Sequence, residues 1–121
     1  KFKGKKKIIG ICLGFQQILY AENAHIVPQK KIYHGYQSRV VALKGSALFK
    51  PNKVFLAGRY HSLKLKEPFN SLSLKITMRC VESNVAMAIE DTINNVYGFQ
   101  FHPDSFLTVD GKFLIQKVLQ F

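Results

Sequence analysis

The first cluster of apolar positions is Ile8–Cys12, a short run set off by lysines, which predicts a strand buried on both faces. Leu13, Gln16, Gln17 and Tyr20 then recur at helical spacing, so Leu13–Glu22 is expected as a helix that starts just past Cys12. Together they make a strand–turn–helix unit, the building block of an α/β sheet. After Val27 the pattern turns to β. Ser38–Leu43, Val54–Ala57 and Leu72–Met78 read as strands, separated by Gly, Pro and Asn. Val85–Ile89 and Val96–Phe101 bracket "EDTINN", whose Asp and Asn residues suit a hairpin turn. In Asp110–Phe121, Phe113, Leu114, Val118 and Phe121 fall at amphipathic spacing behind Asp110 as N-cap. The expected fold is α/β, with flanking helices and no internal repeat or low-complexity linker.

Composition narrows this picture little. A length of 121 residues allows at most one domain, and 47% hydrophobic with 21% charged residues describes an ordinary soluble globular chain. No apolar run is long enough to span a bilayer and nothing resembles a signal peptide, so no membrane partner is expected. Cys12 and Cys80 are too few for a disulfide framework, and a reducing, cytoplasmic setting follows. His25, His34, His61 and His102 form no metal-ligand spacing, so neither a metal nor another cofactor is expected. The net charge of +11 invites a nucleic-acid reading. Lys1, Lys3, Lys5, Lys6 and Lys7, however, crowd the N-terminus, and the remaining positives form no basic helix or aromatic RNA-binding signature. A solvated, lysine-rich surface with no specific nucleic-acid partner accounts for them.

The candidate chemistry starts at Gly10-Ile11-Cys12-Leu13-Gly14, of the form Gly-x-nucleophile-x-Gly. A nucleophile on a sharp strand-to-helix turn needs small neighbours, and the turn aims the sulfur at the N–H groups of the helix start. The Leu13 amide would face an oxyanion formed on a carbon attacked by Cys12. A small apolar residue in a buried strand explains Cys12 equally well at this point. A cysteine nucleophile also needs a base and an orienting partner. In "YGFQFHPDSF" an apolar strand ends at His102, Pro103 stops its regular continuation, and Asp104 follows. Groups at the carboxyl ends of parallel strands gather on one rim, so Cys12 and His102 can meet, with Asp104 fixing the imidazole tautomer. A purely structural histidine is the alternative.

The motifs "GICLGFQ", "HG" at 34–35, "GRYHSL" at 58–63 and "FHPDS" at 101–105 stand in the order and approximate spacing of the class I (triad) glutamine amidotransferases. The chain resembles that family along nearly its whole length, most of all the glutaminase component of anthranilate synthase and aminodeoxychorismate synthase. The resemblance implies a flavodoxin-like mixed sheet with flanking helices. It also implies that residues 1–121 are a single, partial amidotransferase domain lacking its N-terminal strands. The implied activity is hydrolysis of glutamine through a Cys12 thioester, with His102 as base and Asp104 as third triad member. The ammonia would pass to a chorismate-using synthase subunit. Leu13, Gln16, Ser62 and Leu63 match the family's substrate-binding positions, Ser62 and Leu63 through the backbone of a substrate-side loop that also holds His61. His34 matches a structural or partner-facing element, and Gly35 would permit a turn. Cys80 matches no motif and is expected as a packed core thiol.

Three departures accompany the resemblance. Phe15 stands where the family usually has His, which changes local polarity without removing the base. Asp104 replaces the usual Glu, retracting the carboxylate by about 1.5 Å, a displacement that can cost about a hundredfold. The family's N-terminal segment, with its Gly-rich oxyanion loop, has no counterpart in "KFKGKKKIIGIC". These departures motivate a second reading: a catalytically impaired fragment or relic of the same fold, acting at most as a partner-binding module. Tryptophan and folate branches share the motifs, and the sequence does not separate them.

Overall fold

The computed structural model describes residues 6–105 and 107–120, leaving aside the side chains of residues 30–34. Lys1, Lys3 and Lys5 of the basic cluster and Phe121 of the expected helix lie outside the described residues. The elements are β1 (Ile8–Ile11), α1 (Leu13–Ala21), β2 (Ile26–Ala42), β3 (Val54–Leu65), β4 (Lys75–Cys80), β5 (Ala86–Asp91), β6 (Val96–Phe99) and α2 (Gly111–Gln120). The strands form one six-stranded sheet in the order β1-β6-β5-β4-β2-β3. β1 runs parallel to β6, and every other neighbouring pair is antiparallel. The sheet is therefore mixed, as the resemblance implied.

The helices cover opposite faces, and β6 explains why. Its side chains alternate, so Tyr97 and Phe99 point one way and the Gly98 position the other. Tyr97 and Phe99 share a core cluster with Leu114 and Val118 of α2. A Cβ on Gly98 would stand 3.2 Å from the Phe15 ring, on the side of α1. β5 is buried at every position and feeds both clusters, Met87 and Ala88 towards α2, Ala86 and Ile89 towards α1. Its neighbour β6 is likewise buried throughout, although only the β1–β6 pair is parallel. Lys7 Nζ donates to the Val118 and Leu119 carbonyls at the C-terminal end of α2, where a cation suits the helix dipole.

Several expected boundaries move. β2 and β3 extend far beyond Ser38–Leu43 and Val54–Ala57, because the two strands pair from Ile26↔Leu65 to Val41↔Val54 with irregularities after Pro28 and His34. Gly35 takes φ 77° at the second of these, so it serves a bulge inside a strand rather than a turn between elements. The stretch 58–63, expected as a loop, is the middle of β3. Leu72 is fully exposed and precedes β4, which starts at Lys75. β6 ends at Phe99, two residues early, and α1 ends at Ala21. The hairpin at 91–96 is as expected: Asp91 accepts from the Asn94 backbone and side-chain amides, and Asn95 adopts φ 60°.

Candidate active site

Cys12 stands between β1 and α1 with φ 54° and ψ −101°, a conformation that L-residues rarely adopt. Two hydrogen bonds fix it there. Its N–H donates to Phe99 O on β6 (2.7 Å), and its carbonyl accepts from Gln16 N in the first turn of α1 (3.1 Å). Gly10 makes this close turn possible: a Cβ there would lie 2.7 Å from the Gly14 carbonyl carbon and oxygen. Gly14 is different. A Cβ on it meets nothing within 4 Å, so the expectation that both flanking glycines are needed for space holds for Gly10 only.

The sulfur is half-buried. Burial raises the Cys12 pKa above its ordinary value, and the Leu13 backbone N–H and the Gln100 amide partly offset this by favouring the thiolate. Burial thus favours the neutral thiol, and a base is needed to activate it. Sγ lies 3.7 Å from Tyr60 O on β3 and 3.8 Å from Gln100 Nε2 just past β6.

His102 lies three residues beyond the end of β6. Because β6 is the parallel neighbour of β1, with Ile11 opposite Phe99, both Cys12 and His102 leave the sheet at the same carboxyl rim. The segment after β6 is tied to β3. His102 N donates to Gly58 O (3.1 Å), Gly58 N donates to Thr108 Oγ1 (2.8 Å), and Thr108 Oγ1 donates to His102 O (2.6 Å). A Cβ on Gly58 would stand 2.9 Å from Leu107 Cβ and 3.0 Å from Ser105 Oγ, so only glycine lets the two segments approach this closely. The Tyr60 ring packs edge-on against the imidazole at 5.2 Å, and its hydroxyl is 3.1 Å from Ser105 Oγ. An open depression lined by Tyr60, His102, Asp104 and Ser105 gives solvent access.

The remaining expected site residues divide. Asp104 Oδ1 lies 3.6 Å from His102 Nδ1, beyond hydrogen-bond length, and its side chain is 77% exposed. Gln16 Nε2 donates to Gln100 Oε1 at 3.3 Å and so connects to Cys12 through Gln100. Leu13 presents its backbone N–H to the sulfur while its side chain is exposed. Ser62 and Leu63 are on β3, beyond Tyr60, and the described hydrogen bonds do not link them to Cys12 or His102. Leu63 O instead accepts from His61 Nδ1 at 2.9 Å; its β2 partner, Pro28, has no N–H to offer. Phe15 is wholly buried against the second core cluster, so in this chain the position is part of the packing between α1 and the sheet.

His61 is a buried neutral imidazole. Arg59 Nε donates to its Nε2 (2.9 Å), which places the ring proton on Nδ1, facing Leu63 O. Burial pushes its pKa down to about 4; the Leu63 carbonyl opposes this, and Arg59 and His102 add to it. Arg59 is itself fully buried, within 3.3 Å of Cys80 Sγ and 3.4 Å of Ser38 Oγ. Cys80 is the core thiol expected of it. His34 pairs through its backbone with Tyr60, and its side chain lies outside the description.

Tyr60 and Gln100 escaped the reading of the sequence as site residues, although both stand inside the motifs quoted. A glutamine in the otherwise apolar run "YGFQF" is the signal for the second. Nothing comparable marks Tyr60, whose carbonyl and ring both matter.

Comparison with known proteins assigns the chain to a family. Residues 1–120 match the family described as glutamine amidotransferase class-I. Over 118 residues the chain is 37% identical to anthranilate synthase component 2 of Lactococcus lactis subsp. lactis, covering 96% of this chain and 59% of that protein. It is 39% identical over 119 residues to the bifunctional protein TrpGD of Thermotoga maritima, covering 98% of this chain and 20% of that one. The fold superposes on a glutamine amidotransferase from Thermotoga maritima with a TM-score of 0.64 at 18% identity, over 78% of this chain and 39% of that one. The chain thus spans about six-tenths of the anthranilate synthase component 2 that it matches. It belongs to the class I glutamine amidotransferase family.

Proposed function

We propose that the chain is the glutaminase part of an amidotransferase of the anthranilate synthase component 2 type, supplying ammonia to a chorismate-using synthase partner. Aminodeoxychorismate synthesis is the other branch that the same chemistry serves. One observation carries the proposal: a cysteine on a strained elbow and a histidine from the parallel neighbouring strand leave the sheet at one rim, with Tyr60 touching both.

In this reading His102 takes the Cys12 thiol proton as the sulfur attacks the side-chain amide carbon of glutamine. The tetrahedral oxyanion faces the Leu13 N–H. As the C–N bond breaks, His102 returns the proton to the leaving nitrogen, and ammonia departs from a γ-glutamyl thioester on Cys12. Water, deprotonated by His102, then attacks the thioester and releases glutamate. Gln16 and the backbone at Ser62 and Leu63 hold the substrate, and Asp104 steadies the imidazole.

The test is ammonia release from glutamine, measured for the protein with and without the synthase partner. Release that rises on adding the synthase supports the proposal, and none under either condition overturns it. A second reading, an impaired chain that only binds its partner, is favoured by the 3.6 Å gap and the exposure of Asp104. The two part at Asp104→Glu. One added methylene spans about 1.5 Å and brings the carboxylate to Nδ1, so the rate should rise severalfold in an enzyme; in an inert chain it would stay at background.

A further inference from the structure

Gln100 has a side chain with no solvent exposure, yet it sits in a run of aromatic residues between Phe99 and Phe101. A buried amide must be satisfied, and each of its ends has a partner. Oε1 accepts from Gln16 Nε2 at 3.3 Å, and Nε2 approaches Cys12 Sγ at 3.8 Å. Its backbone N–H is anchored to Met87 O (2.9 Å), so the side chain leaves a fixed point.

We infer that Gln16 and Gln100 form an amide relay in which Gln16 sets the orientation of Gln100, and Gln100 thereby presents an N–H donor to the Cys12 sulfur. The orientation follows from donor and acceptor matching. While the NH2 group of Gln16 faces Gln100, the Gln100 carbonyl must face it in return, and only the NH2 end is left for the sulfur. An N–H donor stabilises a thiolate, whereas the carbonyl end would hold the thiol S–H. If Gln16 turned its own carbonyl inwards, Gln100 would have to reverse and the sulfur would lose its donor. Gln16 is half-buried on the outer side of the relay and Gln100 wholly buried, so a molecule in the site reaches the sulfur's donor through Gln16. Extended to catalysis, the inference rests on the proposed glutaminase reading: a glutamine bound at Gln16 would then hold the relay in its donor orientation. The relay itself does not need that reading.

The experiment is the rate at which iodoacetamide alkylates Cys12 at a single pH near neutrality, followed on the Cys12 peptide by mass spectrometry in the full chain. Gln100→Met keeps the side chain's length and removes its donor, and should slow alkylation about tenfold, as expected for a lost hydrogen bond to a charged group. Gln16→Leu should slow it about threefold by releasing the orientation of Gln100. The double variant should be no slower than Gln100→Met alone, since both act through one contact. A packing role for Gln100 predicts a Met variant that reacts like the wild type, and that result, or additive effects in the double variant, overturns the relay. Should Gln100→Met not fold, Gln16→Leu decides alone, a wild-type rate counting against the relay. Protection of wild-type Cys12 by glutamine is a separate arm. Its absence counts against the glutaminase reading and leaves the relay standing.

Discussion

Cys12→Ser is expected to lower glutamine hydrolysis by about a thousandfold or more, measured as ammonia released under saturating glutamine. A hydroxyl is a far weaker acid than a thiol, and the half-buried pocket already penalises the anion at this position. The Leu13 N–H and the Gln100 amide are aimed at a sulfur-sized atom and cannot supply the difference. Serine tolerates the elbow backbone as cysteine does, so the loss should come with unchanged stability in urea. A variant retaining a tenth of the wild-type rate would place the nucleophile elsewhere.

Gly10→Ala is expected to be the most damaging change to the framework of the site. The added methyl would lie 2.7 Å from the Gly14 carbonyl group and from Ile18 Cδ1. The Ile18 side chain can swing aside, but the Gly14 backbone cannot unless α1 moves off β1. That displacement should cost about 3 kcal/mol of stability, at the upper end for overpacking a filled site. It also carries Cys12 with it, and a shift of about 1 Å at the nucleophile is enough for about a hundredfold loss of rate. Gly14→Ala is the control for stability. Its Cβ points into open space, and α1 gains helix propensity, so urea unfolding should show no loss. If the two alanine variants unfold alike, the close approach at Gly10 is not what holds the elbow.

The contrast between these two glycines shows what a motif conveys. Gly-x-Cys-x-Gly announced a strand-to-helix turn correctly, because local spacing and helix periodicity are properties of a few neighbouring residues. It did not reveal which glycine was needed for space, since that depends on where α1 lies against β1. That Cys12 and His102 follow strands ending on one rim was legible for a similar reason: both come after apolar runs, and strand ends collect on one edge of a parallel pair. The full lengths of β2 and β3 were not legible, although Ser38–Leu43 and Val54–Ala57 marked part of each. Pro28, Gly35 and the polar residues between them interrupt any alternation, and the strand persists only because its partner supplies hydrogen bonds across two irregularities. The same pairing turned "GRYHSL" from an expected loop into the middle of β3.

Charge and polarity misled in smaller ways. Phe15 was weighed as a change in site polarity, yet helix periodicity already set it, with Leu19, on the face that packs against the sheet. Gln100 ran the other way. A glutamine among aromatic residues is ordinarily placed at the surface, and only the folded structure shows its two ends taken up by Gln16 and Cys12. His61 and Arg59 form a buried polar pair that supports the strand carrying Tyr60, a task no local pattern announces.

The central proposal is that Cys12 carries a glutamyl group during turnover, and the most direct measurement is a rapid acid quench of the protein incubated with glutamine, followed by peptide mass spectrometry. The account predicts a glutamyl adduct on the peptide containing Cys12, lost on treatment with hydroxylamine and missing from Cys12→Ser. Continued ammonia release with the Cys12 thiol alkylated, or an adduct found on Cys80 instead, would contradict it.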